Sequence, residues 1–183
     1  MTFELWIFSA IAATLFVVAF VFVSLNVAFI FGVPWVRTSR RVSREMYKLA
    51  DLRPGQTVLD LGCGDGSLLV VAVKDFGASE AVGYEINPFL VLYGRIYARL
   101  AGVSDKVKIR HGNMVKVPLE QVDLVALYLL PEVMGKIQTR LTQYLSNDTV
   151  VVSRGFRFNA EPRKVKEVDR NHFYLYKVGD LID

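Results

Sequence analysis

The chain has one cysteine and two histidines, so an internal disulfide is excluded and no zinc set can be assembled. No G-x-x-x-x-G-K-[ST] occurs, which removes a P-loop. Charge is absent altogether between Glu4 and Arg37. All 22 Lys and Arg lie after that gap, against 17 acidic groups once Glu4 is subtracted from 18. A surplus this small does not argue for nucleic acid, and none is expected as a partner. With 183 residues, 52% hydrophobic and 22% charged, the chain is neither disordered nor collagen-like, and it has room for about one ordinary domain.

The uncharged stretch is the first thing that is there. Leu5 to Phe31 reads LWIFSAIAATLFVVAFVFVSLNVAFIF, broken only by Ser9, Thr14, Ser24 and Asn26 among the polar residues. As a helix it has no polar face, and at roughly 1.5 Å per residue it exceeds the roughly 30 Å hydrocarbon thickness of a bilayer. A cleavable signal peptide fits less well, because the leading charge is acidic and the stretch too long. Arg37, Arg40, Arg41 and Arg44 follow at once, whereas the other flank has no basic residue. Positive charge stays on the cytoplasmic side. The expectation is a single-pass membrane protein with an anchor and junction over residues 1–36, a membrane contact through residues 5–31 and a domain over residues 37–183 in the cytoplasm.

Gly32 and Pro34 break the first helix, and a short amphipathic helix is expected from Thr38 or Ser39. Strand and helix patterns then alternate: TVLDL, SLLVVAVKDFG, AVGYE, NPFLVLYGRIYARLAG, KVKIRHG, VDLVALYLL, PEVMGKIQTRLTQYL and TVVVS. RKVKEV and HFYLYKV end the chain as two strands with no helix between them. This order predicts an α/β Rossmann-like sandwich of seven strands, mostly parallel, with a C-terminal antiparallel hairpin.

In such sheets ligands sit beyond the carboxyl ends of the strands, where strand order reverses. After the first strand, Asp60, Gly62, Gly64 and Gly66 form D-x-G-x-G-x-G, whose spacing differs from the dinucleotide fingerprint. Asp65 inside the loop argues against a phosphate and tolerates a ligand bearing a positive amino group or sulfonium. Glu85 ends the second strand, where a carboxylate can accept both hydroxyls of a ribose. Asn113 and Met114 follow the third strand, suited to the edge and face of an adenine. Cys63 reads as a small packing residue in the loop, and His111 as a strand-end residue that helps place the next one.

DLGCGDG, the strand-end Glu85 and the Asn113 loop resemble a class I S-adenosylmethionine-dependent methyltransferase. More narrowly, VPWV, LDLGCGDG, AVGYEIN, YLLPEV, VVSRGF and HFYLYKVG resemble the small archaeal protein-lysine methyltransferases and the related mitochondrial membrane-protein lysine methyltransferases. The resemblance implies S-adenosyl-L-methionine as cofactor, held by Trp35, Thr38, Asp60, Gly62, Cys63, Gly64, Asp65, Gly66, Glu85, Ile86, Asn87, Asn113 and Met114. In the relatives the segment at Trp35 to Thr38 folds over the cofactor with a tyrosine and a second proline, where this chain has Trp35 and Arg37.

Methyl transfer from a sulfonium needs alignment and dryness more than a strong base, and the acceptor residues expected are Tyr128, Leu129, Leu130 and Phe156, as positioners without an obligatory general base. The expected acceptor is the side-chain amine of an accessible lysine on a membrane or membrane-associated protein. The fourth-strand YLLP lacks the Asn/Asp-Pro-Pro-aromatic pattern of adenine and glutamine methyltransferases. A small-molecule or lipid methyltransferase at the membrane stays open as an alternative. So does a non-catalytic, cofactor-binding assembly factor. Oligomeric state is not legible.

Overall fold

A computed structural model describes residues 2–30 and 36–182. The elements are α1 (Thr2–Ile30), α2 (Arg40–Leu49), β1 (Thr57–Leu61), α3 (Ser67–Phe76), β2 (Glu80–Glu85), α4 (Pro88–Leu100), β3 (Val107–His111), β4 (Leu124–Leu127), α5 (Pro131–Tyr144), β5 (Val150–Arg154), β6 (Lys164–Val168) and β7 (Asn171–Lys177). The seven strands form one sheet in the order β3-β2-β1-β4-β5-β7-β6. All pairs are parallel except those of β7 with β5 and β6. This is the seven-stranded sandwich with its C-terminal antiparallel hairpin. Strand order reverses between β1 and β4, so the crevice there opens beside the β1 glycine loop.

Two-residue alternation along the strands divides the core between the faces. Val58, Leu124 and Ala126 join Met46 and Tyr47 of α2, Leu69 and Val73 of α3, and Val91 and Ala98 of α4. Leu59, Leu61, Val125 and Leu127 face Met134, Ile137 and Leu141 of α5. The same alternation puts Asp60 on the α2/α3 face with Val58, where it is buried. Ser39 caps α2 through its side-chain oxygen and the Val42 N–H.

The expected fourth strand, VDLVALYLL, is only Leu124–Leu127 in the structure. Tyr128 to Leu130 lie outside the sheet; Pro131 opens α5 and holds the preceding Leu130 in extended backbone, φ −76° and ψ 154°. Of α1, Glu4–Val23 is long and apolar enough to cross a membrane. Glu4 to Phe20 are exposed throughout, so α1 is no core helix of the domain. Gly32, Pro34 and Trp35 lie outside the described residues.

The β6–β7 hairpin turns on Asp169 and Arg170, both with positive φ (49° and 64°) between the paired Val168 and Asn171. Two left-handed residues are the signature of a type I′ turn, whose second position favours glycine. Arg170→Gly is expected to stabilise the fold by about 0.5–1 kcal/mol, read as a higher denaturation midpoint, because it relieves the left-handed strain of a β-carbon. An unchanged or lower midpoint contradicts this.

Candidate active site

The carboxyl ends of β1, β2 and β3, the start of α5 and the segment before α2 enclose a cavity of about 260 Å³. Its floor is the glycine loop. Gly62 sits at φ 83° and Gly64 at φ 55°. A β-carbon at Gly62 would meet Leu129 Cδ2 at 3.1 Å and Met114 Sδ at 3.6 Å, so the loop needs both the left-handed backbone and the missing side chain.

Glu85 fixes that loop from the next strand. One carboxylate oxygen accepts the Gly64 N–H at 3.0 Å and the other the Asn87 N–H at 2.8 Å. Each oxygen keeps a further lone pair. Asn87 in turn caps α4, its Oδ1 accepting from Phe89 N at 2.9 Å. The β2 end therefore organises the loop on one side and a helix start on the other.

Asp60 lines the cavity, is 4% exposed, and has no hydrogen-bond partner among the described residues. Burial, with Glu85 and then Asp65 nearby, pushes its carboxyl up to about 8. A buried acid left without donors, beside two more carboxylates, suits a ligand that brings positive charge and N–H groups. Burial and then Asp60 likewise push the Cys63 thiol well above its ordinary value, so Cys63 is a packing residue and no nucleophile.

Asp65 already has partners within the protein. Its Oδ1 accepts the Ser67 N–H at 3.1 Å, and Arg37 Nε stands 3.0 Å from Oδ2, with the aspartate side chain only 2% exposed. Its charge is thus compensated rather than held open toward a ligand. It disfavours a phosphate for another reason: it already occupies an N–H at the start of α3, where an anion would otherwise bind.

The segment from Val36 to Ser39 lies over the cavity. Val36 and Thr38 both line it. Thr38 is buried, its carbonyl accepting from Ser67 Oγ at 3.4 Å and its Oγ1 from Arg154 at 3.1 Å. Arg154 also donates to Asn171 Oδ1 at 2.9 Å and lies over the Tyr128 ring, 4.1 Å from its centroid. The arginine joins this cover to the ends of β5, β7 and β4. Arg40 and Arg44 pair with Asp75, and Arg41 with Asp169, so the basic run after α1 ties α2 to the domain.

Of the residues expected to hold the cofactor, Thr38, Asp60, Gly62, Cys63, Gly64, Asp65, Glu85, Ile86, Asn113 and Met114 line this cavity. Gly66 and Asn87 stand behind it. A β-carbon at Gly66 would lie 2.4 Å from Ile109 Cδ1, so that glycine serves packing. Trp35 lies outside the described residues. Asn113 Oδ1 accepts from Val115 N at 3.0 Å, which leaves its NH₂ for a ligand. His111 Nε2 and the Ile86 carbonyl are 2.9 Å apart, tying the β2 and β3 loops together.

Among the acceptor candidates, Tyr128 lines the cavity, while Leu129 is buried behind the glycine loop. Leu130 and Phe156 are partly buried outside the lining, and the Leu130 carbonyl already accepts from Val133 N at 3.2 Å. Tyr84, Leu90, Val133 and Lys136 line the cavity without having been singled out. For the last two a signal existed, since i and i+3 in the first turns of a helix after β4 share one face.

The profile of the ANTKMT methyltransferase domain matches residues 60–164. A protein-lysine N-methyltransferase of the archaeon Saccharolobus islandicus is 34% identical over 81% of this chain and 95% of its own length. The mouse adenine nucleotide translocase lysine N-methyltransferase is 37% identical over 68% of this chain, which spans about half of that longer protein, 53%. Among solved structures, an RNA methyltransferase from Salinibacter ruber in complex with S-adenosyl-L-homocysteine superposes with a TM-score of 0.75 at 35% identity, over 78% of this chain and 94% of that one. A carboxylate-rimmed glycine cradle at the sheet's switch point is where such an adenosyl ligand belongs. The chain belongs to the ANTKMT-type family of protein-lysine methyltransferases and is an S-adenosylmethionine-dependent methyltransferase.

Proposed function

We propose that this protein is a membrane-anchored protein-lysine methyltransferase acting on lysines presented at the cytoplasmic surface. One observation carries it: a cover over the cofactor cavity, Val36 to Ser39, that begins six residues after the end of a helix of membrane-spanning length whose Glu4 to Phe20 are exposed. Residues 1–36 form the anchor and junction, and residues 37–183 the catalytic domain. The arginines from Arg37 to Arg44 orient it by the positive-inside preference.

S-adenosyl-L-methionine supplies a methyl group activated on a sulfonium. Glu85 accepts the ribose hydroxyls, Asn113 and Met114 take the adenine, and Asp60 with the backbone of Gly62 and Gly64 takes the methionine end. The rest of the chemistry is positional. A lysine must arrive without its proton: Arg154 brings a cation to the Tyr128 ring and Lys136 another to the cavity wall, and both disfavour a third positive charge there. Tyr128, whose ring is braced by Arg154, aligns the amine, and the apolar neighbours Leu129, Leu130 and Phe156 keep the approach dry.

The test is to reconstitute the full chain in vesicles, add methyl-labelled cofactor, and supply membrane and soluble fractions of a proteome lacking the enzyme. Label on lysine ε-amines of membrane proteins is the expected result. The Salinibacter neighbour is an RNA methyltransferase, and this supports a second reading, RNA as acceptor; label in RNA would establish it. Label in the organic extract would instead assign a lipid or small-molecule acceptor, and either result overturns the lysine reading.

A further inference from the structure

α4 is apolar on two opposite sides. Leu90, Val91, Gly94 and Ala98 face the core. At 3.6 residues per turn, Phe89, Leu92, Tyr93, Ile96 and Leu100 fall within an arc of about 100° on the other side. Four of these stand in solvent: Leu92 58%, Tyr93 42%, Ile96 50% and Leu100 82% exposed. A helix covering a sheet needs only one apolar stripe, so the second has no role in the fold.

We infer that this outer face of α4 lies on the lipid bilayer, a second contact that lays the methyltransferase domain down on the membrane beside its anchor. The inference rests on the membrane reading of α1. What selects lipid is continuity and composition. α1 comes within contact distance of α4, so the helix that carries the stripe adjoins the membrane-spanning helix. Arg95 and Arg99 are exposed along one edge of the stripe, where headgroup phosphates attract them, and Tyr93 is the amphipathic ring that favours the interface. A second copy fits less well, since four partly exposed side chains fall short of the about 800 Å² that a stable partner takes from each side.

The placement has a consequence for the site. The stripe runs about 16 Å from Phe89 to Leu100, and its Phe89 end adjoins the Asn87 cap and the cavity-lining Ile86 and Leu90. Seating α4 on lipid holds the cofactor cavity close to the membrane surface, which selects acceptor lysines within a short reach of the bilayer.

Ile96→Cys and Glu161→Cys chains, each labelled with an NBD fluorophore and reconstituted in phosphatidylcholine–phosphatidylglycerol vesicles, test this; the native Cys63 is buried. Glu161 is exposed next to β6, at the sheet edge opposite β3. Quenching by lipids carrying a spin label on the acyl chain is expected to be at least about threefold stronger at position 96 than at 161. Equal, weak quenching in chains that still float with the vesicles overturns this docking and leaves the anchor standing. Chains that fail to float overturn the membrane reading and this inference with it. A position-96 probe shielded from water yet unquenched by lipid, in a chain that cross-links as a dimer, assigns the face to a second copy and overturns the inference as well.

Discussion

Glu85→Ala is expected to raise the dissociation constant for S-adenosylmethionine by about 100-fold. The side chain holds the Gly64 N–H and the Asn87 N–H, and in the proposed complex it also accepts two ribose hydroxyls. Hydrogen bonds to a charged group are worth about 1.5–3 kcal/mol each, so two of them at the lower end already give that factor. Removal also orphans two buried donors, so lost affinity alone would not separate a ribose contact from a slackened loop. The separation comes from the ligand. The wild-type chain is expected to bind S-adenosylhomocysteine about 100-fold more tightly than its 2′,3′-dideoxy analogue, whereas Glu85→Ala binds the two almost equally. Calorimetry decides, and a variant that still discriminates would place the ribose elsewhere. Glu85→Gln is expected to resemble the alanine variant. Its amide presents one acceptor where the carboxylate presents two, and its NH₂ points at a backbone N–H that needs an acceptor.

The sheet and the cofactor cradle were legible because their signals are local. A strand of buried residues ending in DLGCGDG, then strands ending in Glu85 and before Asn113, place three loops side by side once the sheet is parallel. The hairpin could be read because no helix separates the last two strands. Less could be read at Asp65, where the sequence offers a free carboxylate and the structure pairs it with Arg37, 28 positions earlier. Nothing in a spacing rule reports such a long-range ion pair. For Val133 and Lys136 the spacing shows a shared face of α5, but that this face reaches the cavity depends on β4 stopping at Leu127 and α5 opening at Pro131. The exposed stripe of α4 was hidden too, since a helix apolar on two sides reads in sequence as one buried all round.

The proposed anchor and the site share a structural element. The cover from Val36 to Ser39 is held by Arg37 on Asp65 and by Arg154 on Thr38, and it lies in sequence between α1 and the domain. Arg37 further lies over the Tyr97 ring at 5.6 Å, on α4. One short segment therefore touches the glycine loop, the acceptor side and the helix proposed to rest on lipid. If α1 is the membrane anchor proposed above, restraining that segment at the membrane restrains the cover of the cofactor, which links where the enzyme sits to how its donor is held.

Cofactor affinity is expected to rise about tenfold from pH 6 to pH 7 through Asp60. In the free protein burial, then Glu85 and Asp65, raise the Asp60 carboxyl to about 8, so it is protonated across this window. A ligand carrying a sulfonium and an amino group favours the ionised form, and binding therefore expels a proton. Affinity then climbs one decade per pH unit below the free-state value and levels off above it. The window ends near pH 7 because the ligand's own amino group begins to lose its charge at about 7.7–8.0. Stability of the unliganded chain runs the other way. A folded-state value above the ordinary 3.8 means a contribution present in full below about pH 4 and lost as pH rises through 8. The denaturation midpoint should fall between pH 6 and 9, and the cofactor should restore more of it at the alkaline end. Asp60→Asn, which keeps the shape and removes the titration, is expected to bind more weakly with an affinity that no longer depends on pH between 6 and 7. A pH-dependence that survives in that variant would show that the proton leaves some other group, and that Asp60 does not face the positive end of the ligand.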